Sequence, residues 1–208
     1  MTIYKYGSRG DGVKQIQKAL HLYADGVFGR ETEAAVKAFQ DRNGLTVDGK
    51  VGPATYAKLF TTFGIPFGIR KSKRTINEII VHCTATPEGR RVTMDELKKW
   101  HLERGFSDIG YHYVIDLDGG LHFGRNIDVA GAHCTNHNAH SIGVCYVGGL
   151  SKDGKTPKDT RTEMQKTVLL NLLLDLRALY PSAKIYGHRD FANKACPSFD
   201  AKKEYSRV

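Results

Sequence analysis

The 208-residue sequence contains no apolar run long enough to cross a bilayer. Its longest apolar cluster, Val168 to Leu176, is interrupted by Asn171 and Asp175, whereas a spanning helix needs about 20 predominantly apolar residues. The first residues, Met1-Thr2-Ile3-Tyr4-Lys5-Tyr6-Gly7, lack the apolar core of a secretory signal,. Synthesis in a reducing cytoplasm is therefore expected. Cysteine is sparse, at four residues. Cys145 lies within Ile142 to Val147, which reads as a core strand, where a free thiol packs as a small hydrophobe,. Cys83 follows His82, so on a strand the two side chains point to opposite faces,. Cys83 and Cys145 are read as packing residues, and Cys134 stays open. No helix-turn-helix or aromatic-basic motif is present,. The formal charge of +9 thus favours anionic partners in general without pointing to nucleic acid,. Nothing in the sequence sets an oligomeric state.

What is present falls into two parts. Residues 1–62 carry an internal repeat: Asp25-Gly26-x-x-Gly29-x-x-Thr32 returns as Asp48-Gly49-x-x-Gly52-x-x-Thr55, 23 residues later,. Each Asp-Gly marks a turn, and each is followed by a helical pattern. Val13, Ile16 and Leu20 mark one face of a first helix,. A second runs from Glu31 to Asn43 with Val36 and Phe39 inward and Gly44 as its stop,. Pro53 opens a third at its first position, where a missing N–H costs nothing,. A small all-α three-helix domain is expected. Residues 63–73 read as a solvated linker, punctuated by Gly64, Pro66 and Gly68 and followed by basic residues to Arg74,.

Residues 74–208 alternate between strand and helix patterns. Asn77–His82, Tyr111–Asp116, Leu121–Phe123, Ser141–Val147 and Lys184–Tyr186 read as strands, the second and third as a hairpin across Leu117 to Gly120,. Thr93-x-x-Glu96 and Thr160-x-x-Glu163 read as capping boxes opening two helices, the second ending near Tyr180,. This interleaving predicts an α/β domain with a mixed β-sheet flanked by helices.

The chemistry concentrates near the C-terminus. His188 and Cys196 stand eight residues apart, after the last strand. An imidazole and a soft thiolate suit zinc, but two ligands do not make a site. The best third ligand is His82, at the end of the apolar run Ile79-Ile80-Val81. Alone, His82 reads better as a hydrogen-bonded strand-end histidine that binds no metal. With all three, two imidazoles and one thiolate leave a fourth position for water, the pattern of a catalytic zinc site. His133, Cys134, His137 and His140 form a rival cluster within eight residues. It lies in a loop and closes no Cys/His tetrad, so a second metal is not expected there.

His82-Cys83-Thr84-Ala85, Gly110-Tyr111-His112-Tyr113, Ser141-Ile142-Gly143-Val144 and Lys194-Ala195-Cys196-Pro197-Ser198 occur in that order. Together they resemble the zinc-dependent N-acetylmuramoyl-L-alanine amidases of type 2, in particular the small phage lysozymes, over about residues 74–208. The three short helices with Asp-Gly turns resemble the peptidoglycan-binding domains found beside cell-wall hydrolases. The resemblance implies an endolysin that cleaves the amide between N-acetylmuramic acid and the L-alanine of the stem peptide. It implies bacterial peptidoglycan as the partner, and action on the wall after release. It implies Zn2+ held by His82, His188 and Cys196, catalytic roles for Tyr111 and Lys194, and a substrate contact at His133. No glutamate stands where other branches of the family carry a general base, which leaves the base open. The alternative on the same fold is a non-catalytic peptidoglycan recognition protein; such relatives lack the ligand cysteine, which is present here as Cys196.

Overall fold

The computed structural model describes residues 3–63 and 68–208. Three helices form the N-terminal part: α1 (Asp11–Ala19), α2 (Arg30–Arg42) and α3 (Pro53–Phe63). Val13, Ile16, Val36 and Phe39 are buried, as the helical spacing predicts. Asn43 closes α2, and Gly44 follows at φ +65°, a left-handed position that suits glycine,.

The repeat has a physical reason that its Asp-Gly turns only half reveal. Gln17 donates from Nε2 to Asp25 Oδ1 (2.8 Å), Val27 O (3.0 Å) and Thr32 Oγ1 (3.1 Å), and accepts from Gly26 N–H (2.9 Å). Gln40 does the same one repeat later, to Asp48 Oδ1 (2.8 Å), Lys50 O (2.9 Å) and Thr55 Oγ1 (3.0 Å), accepting from Gly49 N–H (2.9 Å). The repeating unit therefore begins at the glutamine, whose amide satisfies a buried turn. Gln40→Leu should leave the Gly49 N–H and the Thr55 hydroxyl short of partners, at a cost of roughly 2 kcal/mol or more. A denaturant midpoint shift worth under about 0.5 kcal/mol would refute this role.

The second part is built on a five-stranded sheet. In chain order its strands are β1 (Glu78–Cys83), β3 (Tyr113–Ile115), β4 (Leu121–Phe123), β5 (Ser141–Tyr146) and β7 (Lys184–Gly187). Their spatial order is β4-β3-β5-β1-β7, with β4 antiparallel to β3 and the other pairs parallel. Two short strands, β2 (Thr86–Pro87) and β6 (Gly149–Leu150), pair beside it. Helices α4 (Met94–Glu103), α5 (Glu163–Leu179) and α6 (Ala201–Glu204) complete the fold. This is the mixed sheet flanked by helices that the alternation predicts.

Period-2 alternation divides the sheet faces. Ile79, Val81, Cys83, Ile142, Val144 and Tyr146 share a core with Met164, Val168, Leu172 and Leu176 of α5. Val114 and Cys145 pack on the other side with Leu97 of α4. His82, out of phase with Val81 and Cys83, therefore belongs to the α4 face. Cys83 and Cys145 are both buried.

Three local expectations change. The box that opens α5 is Thr162 with Gln165, not Thr160 with Glu163. Thr160 Oγ1 instead accepts from Gly149 N–H at 2.7 Å. Gln165 prevails because its amide also donates to Val147 O (2.9 Å) and Ile115 O (3.3 Å), tying the helix start to two strand ends. At α4, Thr93 caps Glu96 N–H, but the Glu96 carboxylate pairs with Arg90 rather than folding back. The hairpin strand begins at Tyr113, which leaves Tyr111 in the preceding loop.

The linker reading also changes. Residues 64–67, with Gly64 and Pro66, lie outside the described residues. Beyond them the chain is anchored. Arg70 pairs with Asp128 (2.7 Å), and Arg74 reaches the carbonyls of Ile127 (3.0 Å), Asn138 (3.1 Å) and Ser141 (3.2 Å). Arg74 thus satisfies backbone carbonyls, whereas Arg70, Lys71 and Lys73 are exposed, as a solvated segment would have them. The N-terminal helices are not free of the sheet domain either. Tyr4 donates to Asp118 O (3.0 Å), and one apolar cluster runs from Tyr56 and Leu59 into α5.

Candidate metal centre

Parallel pairing of β1 with β7 sets Val81 beside Gly187, so the next residues, His82 and His188, emerge together at the strand ends. Their ring centroids are 4.6 Å apart. After the short turn His188–Asp190, the chain loops back, closed by Arg189 N–H on Cys196 O (2.7 Å). Tyr146 Oη holds Pro197 O (2.7 Å), and Ser198 Oγ holds Gly149 O (2.7 Å). These bonds bring Cys196 Sγ to 3.8 Å from His82 Nδ1. One ligand atom each from His82, His188 and Cys196 lies within 4.8 Å of the others. The three residues named from sequence are therefore together, although His82 stands more than a hundred positions before the other two.

The protonation states suit a metal. Burial holds His82 well below the ordinary imidazole range, helped by His133, His188 and Lys194 nearby. Burial and the charge of Lys194 lower His188 as well. Both are neutral ligands at pH 7. The Cys83 thiol beside it and burial push the Cys196 thiol well up, so its ionised form calls for a cation,. A His2Cys donor set of this kind fits zinc.

His133 packs against the His82 ring at the edge of the centre. It is 8% exposed, and its Nδ1 lies 3.0 Å from His82 Nε2. Its other nitrogen, Nε2, lies 3.4 Å from Ser141 Oγ. Gly143 makes room for the ring: a Cβ there would stand 2.5 Å from His133 Cδ2. A proton on His82 Nε2, donated to His133 Nδ1, leaves His82 Nδ1 with its lone pair toward Cys196.

Tyr111, Lys194 and the three ligand residues His82, His188 and Cys196 meet at one place. A 360 Å³ cleft is lined by Tyr111, His133, His188, Lys194 and Cys196, among others, and the Tyr111 ring lies 5.1 Å from that of His82. Burial, with the thiols of Cys145, Cys196 and Cys83 nearby, raises the Tyr111 phenol well above its usual range, so it remains a proton donor. No aspartate or glutamate lines this cleft among the described residues. Size alone does not select it. A 420 Å³ cleft between Tyr4, Gly12, Asp116 and His122 is larger, but it gathers no set of soft or imidazole ligands.

Arg104 and Phe106, just after α4, also line the cleft, and sequence reading missed both. The guanidinium sits 5.2 Å over the Phe106 ring. No motif marks them; only the return of the chain after Gly105 brings them in.

The buried histidines carry a pH consequence. His112 accepts Gly143 N–H at Nδ1 (3.0 Å) and meets Val129 O at Nε2 (3.1 Å). Burial lowers it from 6.5 to about 4. A depressed imidazole stabilises the fold fully above pH 6.5, and this contribution is lost as pH falls toward 4, because the unfolded chain takes the proton first. The shift is worth about 3 kcal/mol. Denaturant unfolding at pH 7 and pH 4 should show His112→Gln losing about that much less than the parent. An equal acid loss in both would refute the assignment.

Comparison with known proteins accounts for both parts of the chain. Residues 72–199 match the family model "N-acetylmuramoyl-L-alanine amidase", and residues 9–59 match "Putative peptidoglycan binding domain". The endolysin of Escherichia phage T7 is 40% identical over 138 residues, spanning 66% of this chain and 90% of the relative. Among solved structures, N-acetylmuramoyl-L-alanine amidase LysC from Clostridium intestinale is similar at 28% identity and TM-score 0.52, over 64% of this chain and 83% of that one. Drosophila PGRP-LB is similar at 26% identity and TM-score 0.52, over 66% and 84%.

Proposed function

The chain belongs to the N-acetylmuramoyl-L-alanine amidase family, with a peptidoglycan-binding-type domain ahead of the amidase domain, and from that premise we propose that it is a zinc-dependent endolysin. Its substrate is the amide between N-acetylmuramic acid and the L-alanine of the stem peptide. The observation that carries this reading is the convergence of His82, His188 and Cys196 at a cleft that also holds Tyr111 and Lys194. A zinc ion on those three ligands would supply Lewis acidity toward water and the amide carbonyl.

The remaining work falls to the chain. His133 orients His82 through the 3.0 Å contact and also lines the cleft, where it is within reach of the substrate,. Lys194 is exposed at the cleft and offers positive charge to the developing oxyanion,. The protonated Tyr111 phenol is a hydrogen-bond donor toward the reacting carbonyl or the departing amine,. Arg104 adds a second cation to a cleft without lining carboxylates, which suits the anionic stem peptide,. The N-terminal helices hold the enzyme on a polymer that repeats its epitope, raising local substrate concentration. Action on the cell wall completes the reading.

The rival is a recognition protein that binds the same polymer without cutting it. Cys196 argues against it, because a receptor has no use for a third metal ligand. Mass spectrometry of purified sacculi after digestion separates the two. Free stem peptides beginning with L-alanine are expected. Unchanged sacculi, or peptides still joined to muramic acid, would overturn the proposal.

A further inference from the structure

At the opposite end of β1 from His82, a second set of ligating groups comes together. Glu78 opens the strand and pairs in register with Ser141, so the residue before Ser141, His140, arrives beside it. His140 N–H reaches back to His137 O (3.3 Å), a turn that brings the two imidazoles near one another. His137 Nδ1 lies 2.9 Å from Glu78 Oε2, and His140 Nε2 lies 3.3 Å from the same oxygen. All three ligand atoms lie within 4.8 Å of one another. Phe191 packs against the His137 ring at 3.9 Å between centroids, closing one side. The three side chains are neither sealed nor fully exposed, at 16%, 24% and 35% for Glu78, His137 and His140.

We propose that Glu78, His137 and His140 form a second binding site for a divalent first-row cation of the zinc type, separate from the His82–His188–Cys196 centre. Around a tetrahedral ion with N/O bonds of about 2.0–2.1 Å, neighbouring donors stand about 3.3 Å apart. The two imidazole-to-carboxylate distances of 2.9 and 3.3 Å are already close to that separation. As plain hydrogen bonds, both imidazoles would have to donate to one oxygen. A cation between them is met by three lone pairs at once, and the solvent side admits water as the fourth ligand. The loop concerned also carries His133, which touches His82. The site is therefore structural: it ties residues 133–140 to β1 and steadies the shell behind the catalytic ligands. Cys134 takes no part, and the pairing of Glu78 with two loop histidines replaces the Cys/His cluster weighed from sequence.

Cobalt(II) titration of the tag-free full chain, with equilibrium dialysis, tests this. Two ions per chain are expected. One should give the near-ultraviolet charge-transfer band of a thiolate–cobalt bond, from Cys196, and the other should not. Glu78→Gln and His140→Asn should each weaken the second ion more than about 100-fold, because each removes a group that binds the ion directly, and even groups that only support such ligands are worth about 10–100-fold. Both should keep the thiolate band, because Cys196 is untouched. Cys196→Ser should lose the band and retain one ion. Loss of the band from the parent chain would count against the catalytic centre instead, so the two readings fail separately. A parent chain that binds a single ion and shows the thiolate band, or Glu78→Gln and His140→Asn chains that still bind two, would overturn the second site.

Discussion

Replacing Cys196 with serine should strip the catalytic ion from the protein and abolish turnover. A neutral hydroxyl replaces a thiolate in a three-ligand set, so both the charge and the soft donor are lost. Outer-shell changes around metal sites already cost about 10–100-fold in affinity or activity, so loss of a ligand should exceed about 100-fold. The fold should survive. The loop is closed by backbone bonds such as Arg189 N–H to Cys196 O, and Tyr146 and Ser198 anchor it independently of the sulfur. The same logic predicts that a chelator abolishes activity of the parent enzyme and that added zinc restores it. Full turnover in metal-free protein, or in Cys196→Ser at ordinary zinc concentrations, would remove zinc from the mechanism.

Tyr111→Phe and Lys194→Ala should instead keep the metal and lose rate. Neither residue belongs to the converging ligand set, yet both line the same cleft. The phenol is kept protonated by burial, so removing its hydroxyl deletes a donor while leaving the ring's contact with His82. Lys194 is exposed, and its removal deletes a positive charge with little packing. A single electrostatic donor to a transition state is worth on the order of 100-fold or more in kcat. Metal content by atomic spectroscopy and steady-state rates on a soluble muropeptide give the check. Zinc-loaded variants with near-parental kcat would show that these residues serve only packing or solubility. A matching fall in zinc content would show that they act on the metal site rather than on the reaction.

Much of this was legible before the structure, and the reason differs from residue to residue. That His82, His188 and Cys196 belong together was readable from the ordered motifs that resemble the amidase family, since His82 by itself looked like a strand-end histidine. The sheet and the two principal helices were readable because alternation and helical spacing are local properties of the chain. The Asp-Gly turns declared the repeat for the same reason.

Residues whose role depends on a distant partner were not readable. Gln17 and Gln40 look like ordinary helix-surface amides until the turn they satisfy is seen beneath them. Thr160-x-x-Glu163 reads as the box in sequence, but the carbonyls of Ile115 and Val147 decide for Thr162 with Gln165. Arg74 reads as linker charge, but carbonyls of two other loops and of Ser141 in β5 surround it. His133 takes its place behind His82 because Gly143, on a neighbouring strand, leaves space for its ring. Glu78 lies 59 positions from His137, and only the register of β1 against β5 brings them within 2.9 Å. Local sequence determined the elements and the ligand chemistry of this protein, because propensity and donor type belong to the residue itself. Tertiary structure alone decided which groups face one another across the sheet, because strand register and loop closure arise only when distant segments pack.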